Sequence, residues 1–271
     1  MLDEPFLRAV DKLRVPAAGT ELMAPFLHSL VRTIRPRTVV EVGSGYSTLF
    51  LLHALHECAA DHAAERTALI AKTRQMHAAG ENGAGAGASD DTRFHDWLVA
   101  PPANLDPAFY ATDYRPKLYA FDDLSAEARA ASEVVATAAA LGLGERLSFV
   151  ADRAIGNSAR IAAAHRPLDL VFNDAAEYED FFAEYWDLIN PRGGLLIFHN
   201  TVGSWSSSRL MVKDLKLRQA AAPLELEVMS LVEPHKAYQG SFTMVRRISG
   251  LRERSFEDRF DAILDDADRL V

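Results

Sequence analysis

The sequence predicts an α/β protein built on a doubly wound, mostly parallel sheet of seven strands. Apolar, strand-like runs alternate with helical segments along most of the 271 residues. The run Thr38–Val42 is β-branched except at Glu41, and a Gly-Ser-Gly turn follows it, as expected for a buried parallel strand that leads into a helix. The last two strand-like runs flank a short polar segment and indicate an antiparallel hairpin at the carboxyl-terminal edge.

The individual elements follow from periodicity and from proline and glycine positions. Residues Glu21–Ile34 carry an apolar stripe at helical spacing, and Pro36 ends that helix before the first strand. The other predicted helices are Leu49–Leu55, Asp61–Ala79, Thr92–Leu98, Ser125–Leu141, Ser158–Ala164, Glu179–Leu188, Lys213–Ala221 and Phe256–Leu270. The other predicted strands are Lys117–Asp123, Leu147–Ala151, Leu168–Phe172, Leu195–Phe198, Leu224–Val232 and Ser241–Ile248.

One domain, 1–271, is expected, with an insertion at about 59–116 between the first two strands. The Gly-Ala repeats of Gly80–Ser89 suit regular structure poorly and predict a loop. The segment with Pro101, Pro102 and Pro107 predicts an irregular connection. For the insertion we expect either a lid over the site or an oligomer contact, such as that of a homodimer.

Composition limits the classes of partner. The formal charge of -9 argues against a nucleic-acid surface, which needs clustered Lys and Arg. The single cysteine, Cys58, excludes an intramolecular disulfide and a cysteine zinc cluster. The amino terminus lacks the basic start and apolar core of a signal peptide, and no apolar run is long enough for a bilayer. We therefore expect a cytoplasmic protein without a membrane partner.

The turn after the first strand predicts a nucleotide-like ligand with a cationic end. Gly43 and Gly45 allow close approach of the backbone, and Ser47 or Thr48 can cap the following helix. The third glycine of a dinucleotide fingerprint is replaced by Thr48, and the lysine of a phosphate loop is missing. Glu41 would repel phosphates but accept hydrogen bonds from an ammonium group. The pattern Glu41-Val42-Gly43-Ser44-Gly45 resembles the first motif of class I S-adenosylmethionine (SAM)-dependent methyltransferases.

Acids at the next strand ends complete the predicted cofactor site. In a sheet of this kind the second strand ends in an acid for the ribose hydroxyls, so Asp122 is the first candidate and Asp123 the reserve. Capping of the following helix is the alternative role for both acids. Asp152 resembles the acid that faces the adenine amino group in this family, and a loop role is its alternative. The predicted cofactor residues are Glu41, Gly43, Ser44, Gly45, Ser47, Thr48, Asp122, Asp123, Asp152 and Asn173.

Two later stretches of the sequence restrict the resemblance to one group of methyltransferases. Leu168–Tyr178 reads LDLVFNDAAEY, and Leu188–Asn200 reads LINPRGGLLIFHN. Together they resemble small-molecule O-methyltransferases of the catechol and caffeoyl-CoA type, in which strands end in Asp-Ala and in Asp-Asn around a Pro-x-Gly-Gly turn. The resemblance implies a Rossmann-like methyltransferase fold, SAM as cofactor and a small-molecule methyl acceptor.

The family's Asp and Asp-Asn residues bind a divalent cation that holds the acceptor, and this sequence departs from them at one position. Asp174 and Asn200 match, whereas His199 replaces the second Asp. Magnesium prefers oxygen ligands, so an Asp174, His199 and Asn200 set would suit manganese, iron or zinc instead. A general base that needs no metal and a hydrogen bond to the adjoining loop are the other roles open to His199.

Residues beyond these strand ends are candidates for the acceptor side. Trp205 follows Asn200 and can line a substrate cavity. His235 and Lys236 lie between the late strands and can orient an acidic group, although a solvated turn is the common meaning of such residues.

The predicted function is methyl transfer from SAM to a hydroxyl of a small molecule, with Asp174, His199 and Asn200 facing the acceptor. Methylation of an amine is the nearest alternative. A nicotinamide-dependent oxidoreductase and a non-catalytic SAM-binding protein are the alternatives from other classes.

Overall fold

A computed structural model of the chain describes residues 2–16, 18–81, 90–124, 128–175, 177–202, 206–251, 262–263 and 265–271. The strands are β1 (Thr38–Val42), β2 (Lys117–Phe121), β3 (Leu147–Val150), β4 (Leu170–Asn173), β5 (Leu195–His199), β6 (Leu226–Val232) and β7 (Ser241–Arg247). The helices are α1 (Glu4–Asp11), α2 (Thr20–Ile34), α3 (Tyr46–Glu81), α4 (Asp90–Val99), α5 (Pro107–Tyr110), α6 (Ala128–Ala140), α7 (Tyr178–Tyr185) and α8 (Ser206–Ala221).

The seven strands form one sheet in the order β3-β2-β1-β4-β5-β7-β6. Neighbouring strands from β3 to β5 are parallel, whereas β7 is antiparallel to both β5 and β6. This confirms the predicted doubly wound sheet with its carboxyl-terminal antiparallel strands. All five residues of β1 are buried, as expected for a central strand covered on both faces.

The helical predictions need two corrections. The helices predicted at Leu49–Leu55 and Asp61–Ala79 are one helix, α3, because residues 56–60 contain neither proline nor glycine to stop it. The helix predicted at Ser158–Ala164 is replaced by two 3₁₀ turns, Ser158–Arg160 and Ala163–His165, since so short a segment before Pro167 cannot propagate.

Short helices appear where none was predicted. In α1 the side chain of Asp3 accepts a hydrogen bond from the Phe6 amide at 2.8 Å, so an N-cap starts a helix of eight residues. The segment expected to be irregular contains α5, which Asp106 caps. Of the predicted final helix, residues 256–261 and 264 lie outside the described part of the chain.

The chain divides into two compact units. The first comprises residues 1–57 and 116–251 and holds the whole sheet. The second comprises residues 58–115 and the chain after Leu251, and its own apolar core includes Leu69, Phe94, Trp97 and Ala267. The insertion predicted at 59–116 thus lies almost entirely in the second unit, and its role as a lid or homodimer contact stays a prediction.

None of the helices in the described ranges combines the length and the apolar character needed to cross a bilayer.

Candidate active site

The candidate site lies where three neighbouring strands end side by side. Val42 of β1 pairs with Phe121 of β2 on one side and with Asn173 of β4 on the other, so the strands end at one level. The next residues along the chain are Gly43, Asp122 and Asp174. The strand order reverses at β1, because β2 and β3 follow on one side of it and β4 and β5 on the other. A ligand crevice is therefore expected at these carboxyl ends.

Gly43 begins the loop between β1 and α3 in a conformation that favours glycine. Its φ is +88°, and a Cβ there would face the backbone of Asp174 at 3.6 Å. Its amide donates to the Phe121 carbonyl at 2.9 Å, which ties the loop to β2. At Gly45 a Cβ would meet nothing within 4 Å, so this glycine leaves open space beside the loop.

Asp122 holds the same loop from the end of β2. Its Oδ2 accepts a hydrogen bond from the Ser44 amide at 2.9 Å, and its Oδ1 accepts one from the Leu124 amide at 2.8 Å. On the other side, the Thr48 hydroxyl accepts from the Gly45 amide at 2.9 Å and thereby caps the start of α3. The loop is therefore preorganised by side chains from two elements.

Two cavities open on this loop. The first has a volume of about 490 Å³, and its polar wall contains Asp122, Asp123, Asp152, Arg153, Asn173 and Asp174. The second has a volume of about 380 Å³, and its wall includes Leu13, Val15, Thr20, Ser44, Tyr46 and Ser47. Both cavities are lined by Gly43, Asp122 and Asp174. These three residues therefore stand at the junction of the two cavities.

Eight of the ten predicted cofactor residues line one of the two cavities, and the exceptions are Glu41 and Thr48. Both exceptions are fully buried. The Ser47 hydroxyl donates to Glu41 Oε1 at 2.6 Å, so the Glu41 carboxyl supports the start of α3 from within the core. Its predicted contact with an ammonium group stays a prediction.

Burial has a large effect on Glu41. Loss of solvation raises the pKa of its carboxyl to about 8, although hydrogen bonds from Ser47 and Thr48 act in the opposite direction. An acid whose pKa is higher in the folded state binds an additional proton on folding. The stability that this proton contributes is complete below the unfolded pKa of 4.5 and is lost as pH rises through about 8.

We therefore expect the Glu41→Gln variant to be more stable than the parent protein at pH 9, by up to about 5 kcal/mol, and unchanged near pH 4. Gln keeps an acceptor for Ser47 and cannot ionise. Urea unfolding of the ligand-free protein across this pH range measures the difference. The Glu179→Gln variant, at an exposed carboxylate of α7, is the control and should follow the parent protein. Parallel pH curves for Glu41→Gln and the parent would contradict the assignment.

Asp174 and His199 form a close pair beside the junction. The Asp174 Oδ1 and the His199 Nδ1 are 2.5 Å apart, a strong hydrogen bond. The imidazole is buried, with 2% of its side chain exposed, whereas 25% of the Asp174 side chain is exposed. The Tyr178 hydroxyl donates to the His199 carbonyl at 2.5 Å and fixes the end of β5. Asp174 is therefore the member of the pair that faces the cavities, and His199 supports it from behind.

The predicted metal set does not have the geometry of a shared cation. Two ligand atoms bound to one ion of this kind at about 2.0–2.2 Å lie about 3 Å or more apart. The 2.5 Å separation of Asp174 and His199 is instead that of a direct hydrogen bond between them. Asn200, the third predicted ligand, lines neither cavity and is 6% exposed. Its backbone N–H donates to the Ser241 carbonyl at 2.6 Å. In this arrangement the three residues do not fit the divalent cation that the resemblance implies, and the role of His199 as a general base stays a prediction.

The three residues predicted for the acceptor side have different positions. Trp205 lies outside the described residues. His235 is exposed in the turn between β6 and β7. The Lys236 ammonium lies 2.6 Å from Glu233 and 3.6 Å from Glu21, and donates to the Gly19 carbonyl at 3.1 Å. The charge of Lys236 is thus neutralised locally, and binding of an acidic substrate group by either residue stays a prediction.

Some cavity residues were not predicted. Arg153 and Glu177 pair with each other and line the first cavity. Glu177 lies within the stretch Leu168–Tyr178, but neither residue was predicted as part of the site. Tyr46 lines the second cavity, and burial raises the pKa of its phenol above the usual range. Its position directly after Gly45 is the feature of the sequence that could have identified Tyr46 as a cavity residue. Leu13 and Val15, in the second cavity, precede the first predicted element and carried no signal.

No protein-family model matches this chain, and no curated protein matches its sequence. Solved structures do. The chain is similar to the O-methyltransferase TomG of Streptomyces achromogenes in complex with SAM, with a TM-score of 0.55, 17% identity, and coverage of 92% of this chain and 91% of that one.

Two further solved structures have the same overall similarity. The Bacillus cereus O-methyltransferase in complex with SAH gives a TM-score of 0.55 at 15% identity, over 91% of this chain and 92% of that one. The Podospora anserina methyltransferase PaMTH1, also bound to SAH, gives a TM-score of 0.54 at 12% identity, over 91% of this chain and 88% of that one. At these identities the similarity establishes the architecture: the chain has the Rossmann-like fold of SAM-dependent methyltransferases.

Proposed function

We propose that this protein transfers a methyl group from SAM to a hydroxyl group of a small molecule. The observation that carries the proposal is the position of Asp174. Its partly exposed carboxylate stands at the junction of two cavities and is bonded to a buried histidine. The solved structures with this fold that are described as bound to SAM or SAH support the choice of cofactor.

The first cavity suits the nucleoside part of the cofactor. Asp122 offers carboxylate oxygens to the ribose diol, and Asp152, on the same wall, is the candidate partner of the adenine amino group. Ile155 and Phe181 add apolar surface for the base. Five carboxylates line this cavity against one arginine, which disfavours the phosphates of a nicotinamide dinucleotide and supports SAM over that alternative.

The second cavity suits the acceptor and the amino-acid end of the cofactor. Ser44 and Ser47 line it beside the loop, and Leu13, Val15 and Tyr46 supply a largely apolar wall. A small aromatic or aliphatic alcohol fits this combination of apolar walls and few polar groups. The formal charge of -9 also favours a small acceptor over a nucleic acid.

Bound SAM would supply an electrophilic methyl group on a sulfonium. The chain's own contribution is to align the acceptor and to take up its proton. In our proposal the acceptor hydroxyl donates a hydrogen bond to the Asp174 carboxylate. The Asp174–His199 pair would take up the hydroxyl proton as the acceptor oxygen gains the methyl group, with the methyl–sulfur electron pair left on a neutral thioether. Asp174 is the catalytic residue here, and His199 positions it and shares the proton.

Titration calorimetry with SAM, SAH and NAD tests the cofactor assignment. We expect one site for SAM and for SAH with a dissociation constant in the micromolar range or below, and no heat with NAD. Turnover is then measured with a panel of small alcohols, phenols and amines, scoring SAH release. Binding of NAD in place of SAM would contradict the proposal, and binding of SAM without turnover on any acceptor would favour a non-catalytic role. The cytoplasmic location and the homodimer stay predictions.

A further inference from the structure

Two histidines and a glutamate converge between α2 and α3, within the first unit. His28 is on α2, and His53 and Glu57 are one turn apart on α3. His28 Nε2 lies 3.0 Å from Glu57 Oε2 and 3.2 Å from His53 Nδ1, and His53 Nδ1 lies 3.6 Å from Glu57 Oε2. No proposed role in methyl transfer involves these residues, so the cluster needs its own explanation.

The three separations match those of ligands on one tetrahedral ion. Zinc binds nitrogen and carboxylate oxygen at about 2.0–2.2 Å, which places ligand atoms about 3.3 Å apart. The observed separations are 3.0, 3.2 and 3.6 Å, so a point about 2 Å from all three atoms exists. Spacing of four residues on a helix, as for His53 and Glu57, also brings two ligand side chains onto one face.

Hydrogen bonds among these three side chains alone do not account for all three short separations. His28 Nε2 contacts both other atoms but carries at most one proton, so it can donate to Glu57 or to His53 as an ideal bond, and not to both. The pair His53 and Glu57, at 3.6 Å, is beyond hydrogen-bond distance. A cation at the centre would contact all three ligand atoms at once.

The cluster is also largely shielded from solvent, and this burial lowers the pKa of His28 and of His53. The side chains are 8%, 15% and 17% exposed for His28, His53 and Glu57, so solvent reaches the group on one side.

We propose that His28, His53 and Glu57 bind one Zn²⁺ ion, with a water molecule as fourth ligand, and that this ion links α2 to α3. Within the described residues, this is the cluster of His, Cys, Asp and Glu whose ligand atoms converge in this way. The Phe6 ring packs on the His53 ring at 4.3 Å between centroids and holds it in place. The proposal does not depend on methyl transfer.

Arg32 provides an internal test of the geometry. Its Nε lies 3.6 Å from the same Glu57 Oε2, and its side chain is 30% exposed. A guanidinium at this distance competes with a cation for the carboxylate, so removal of its charge should strengthen metal binding.

The experiment titrates Zn²⁺ into chelator-treated, dialysed full-length protein, with Co²⁺ as a spectroscopic probe of tetrahedral coordination. We expect one tight Zn²⁺ site and the visible bands of tetrahedral Co²⁺. In His53→Gln and Glu57→Gln the Zn²⁺ affinity should fall at least 100-fold, and in Arg32→Gln it should rise several-fold. The matched control is His56→Gln on the exposed side of the same helix, which should bind Zn²⁺ as the parent does.

Circular dichroism verifies that each variant is folded, and the gain of affinity in Arg32→Gln keeps the test decisive if a histidine variant unfolds. Retention of the tight Zn²⁺ site in folded His53→Gln or Glu57→Gln would overturn the proposal, as would loss of it only in His56→Gln. The absence of a tight site in the parent protein would also overturn it. SAM calorimetry on the same samples is independent of these outcomes, so a failure here is distinguishable from a failure of the proposed function.

Discussion

The Asp174→Asn variant is expected to lower kcat by about 10²- to 10⁴-fold, the usual contribution of a positioned acid–base group. The amide retains the shape of the side chain but cannot take up the acceptor's proton. SAM affinity should change far less, because the backbone of the Gly43 loop and Asp122 remain in place. Initial-rate kinetics and SAM titration on the same protein separate the two effects.

Two further variants make this result specific. Asp180→Asn, at an exposed carboxylate on α7, removes the same charge outside the cavity residues and should keep full activity. His199→Gln should lower kcat less than Asp174→Asn and should also shift the pH profile of kcat, which a merely structural residue would not do. Full activity of Asp174→Asn would disprove the role of the carboxylate.

The second large effect is expected on SAM affinity, when Asp122 is replaced. In the Asp122→Ala variant the SAM dissociation constant should rise by about 100-fold or more, which corresponds to the loss of about 3 kcal/mol. The change removes the acceptors of two backbone amides, at 2.9 and 2.8 Å, and the carboxylate that we propose for the ribose. The glycine loop would lose its anchor to β2 as well as a ligand contact. Calorimetry with SAM and SAH measures the loss.

Asp123→Ala is the matched control for this prediction. Asp123 is the adjacent acid and lines the first cavity, but it is more exposed than Asp122. We expect its removal to weaken SAM binding less than tenfold. A larger loss in Asp123→Ala than in Asp122→Ala would transfer the ribose contact to the acid that the sequence placed in reserve.

The sheet and the position of the site could be predicted from the sequence because both depend on local patterns. Short β-branched and apolar runs, such as Thr38–Val42, predict strands, and the polar residues that follow them must emerge at one edge of a parallel sheet. Asp122 and Asp174 were therefore identified, although 52 positions separate them along the chain.

The orientation of individual side chains could not be predicted in this way. Glu41 lies two residues before Gly43 but is buried in the core, and Lys236 is neutralised by acids from two separate segments. The burial of His199 behind Asp174 depends on packing between β4 and β5, which sequence spacing does not encode. The continuity of α3 was missed because a short apolar period was interpreted as a separate helix.

The walls of the second cavity have a consequence for altering what this protein acts upon. Its apolar side comes from Leu13, Val15 and Ala18, which precede the sheet and are not part of the glycine loop. The proposed donor half, in contrast, lies at the ends of β1, β2 and β3, where Asp122 and Asp152 also accept hydrogen bonds from backbone amides. In the proposed assignment, substitutions at Leu13, Val15 and Ala18 should therefore change selectivity for the acceptor and leave the donor half intact.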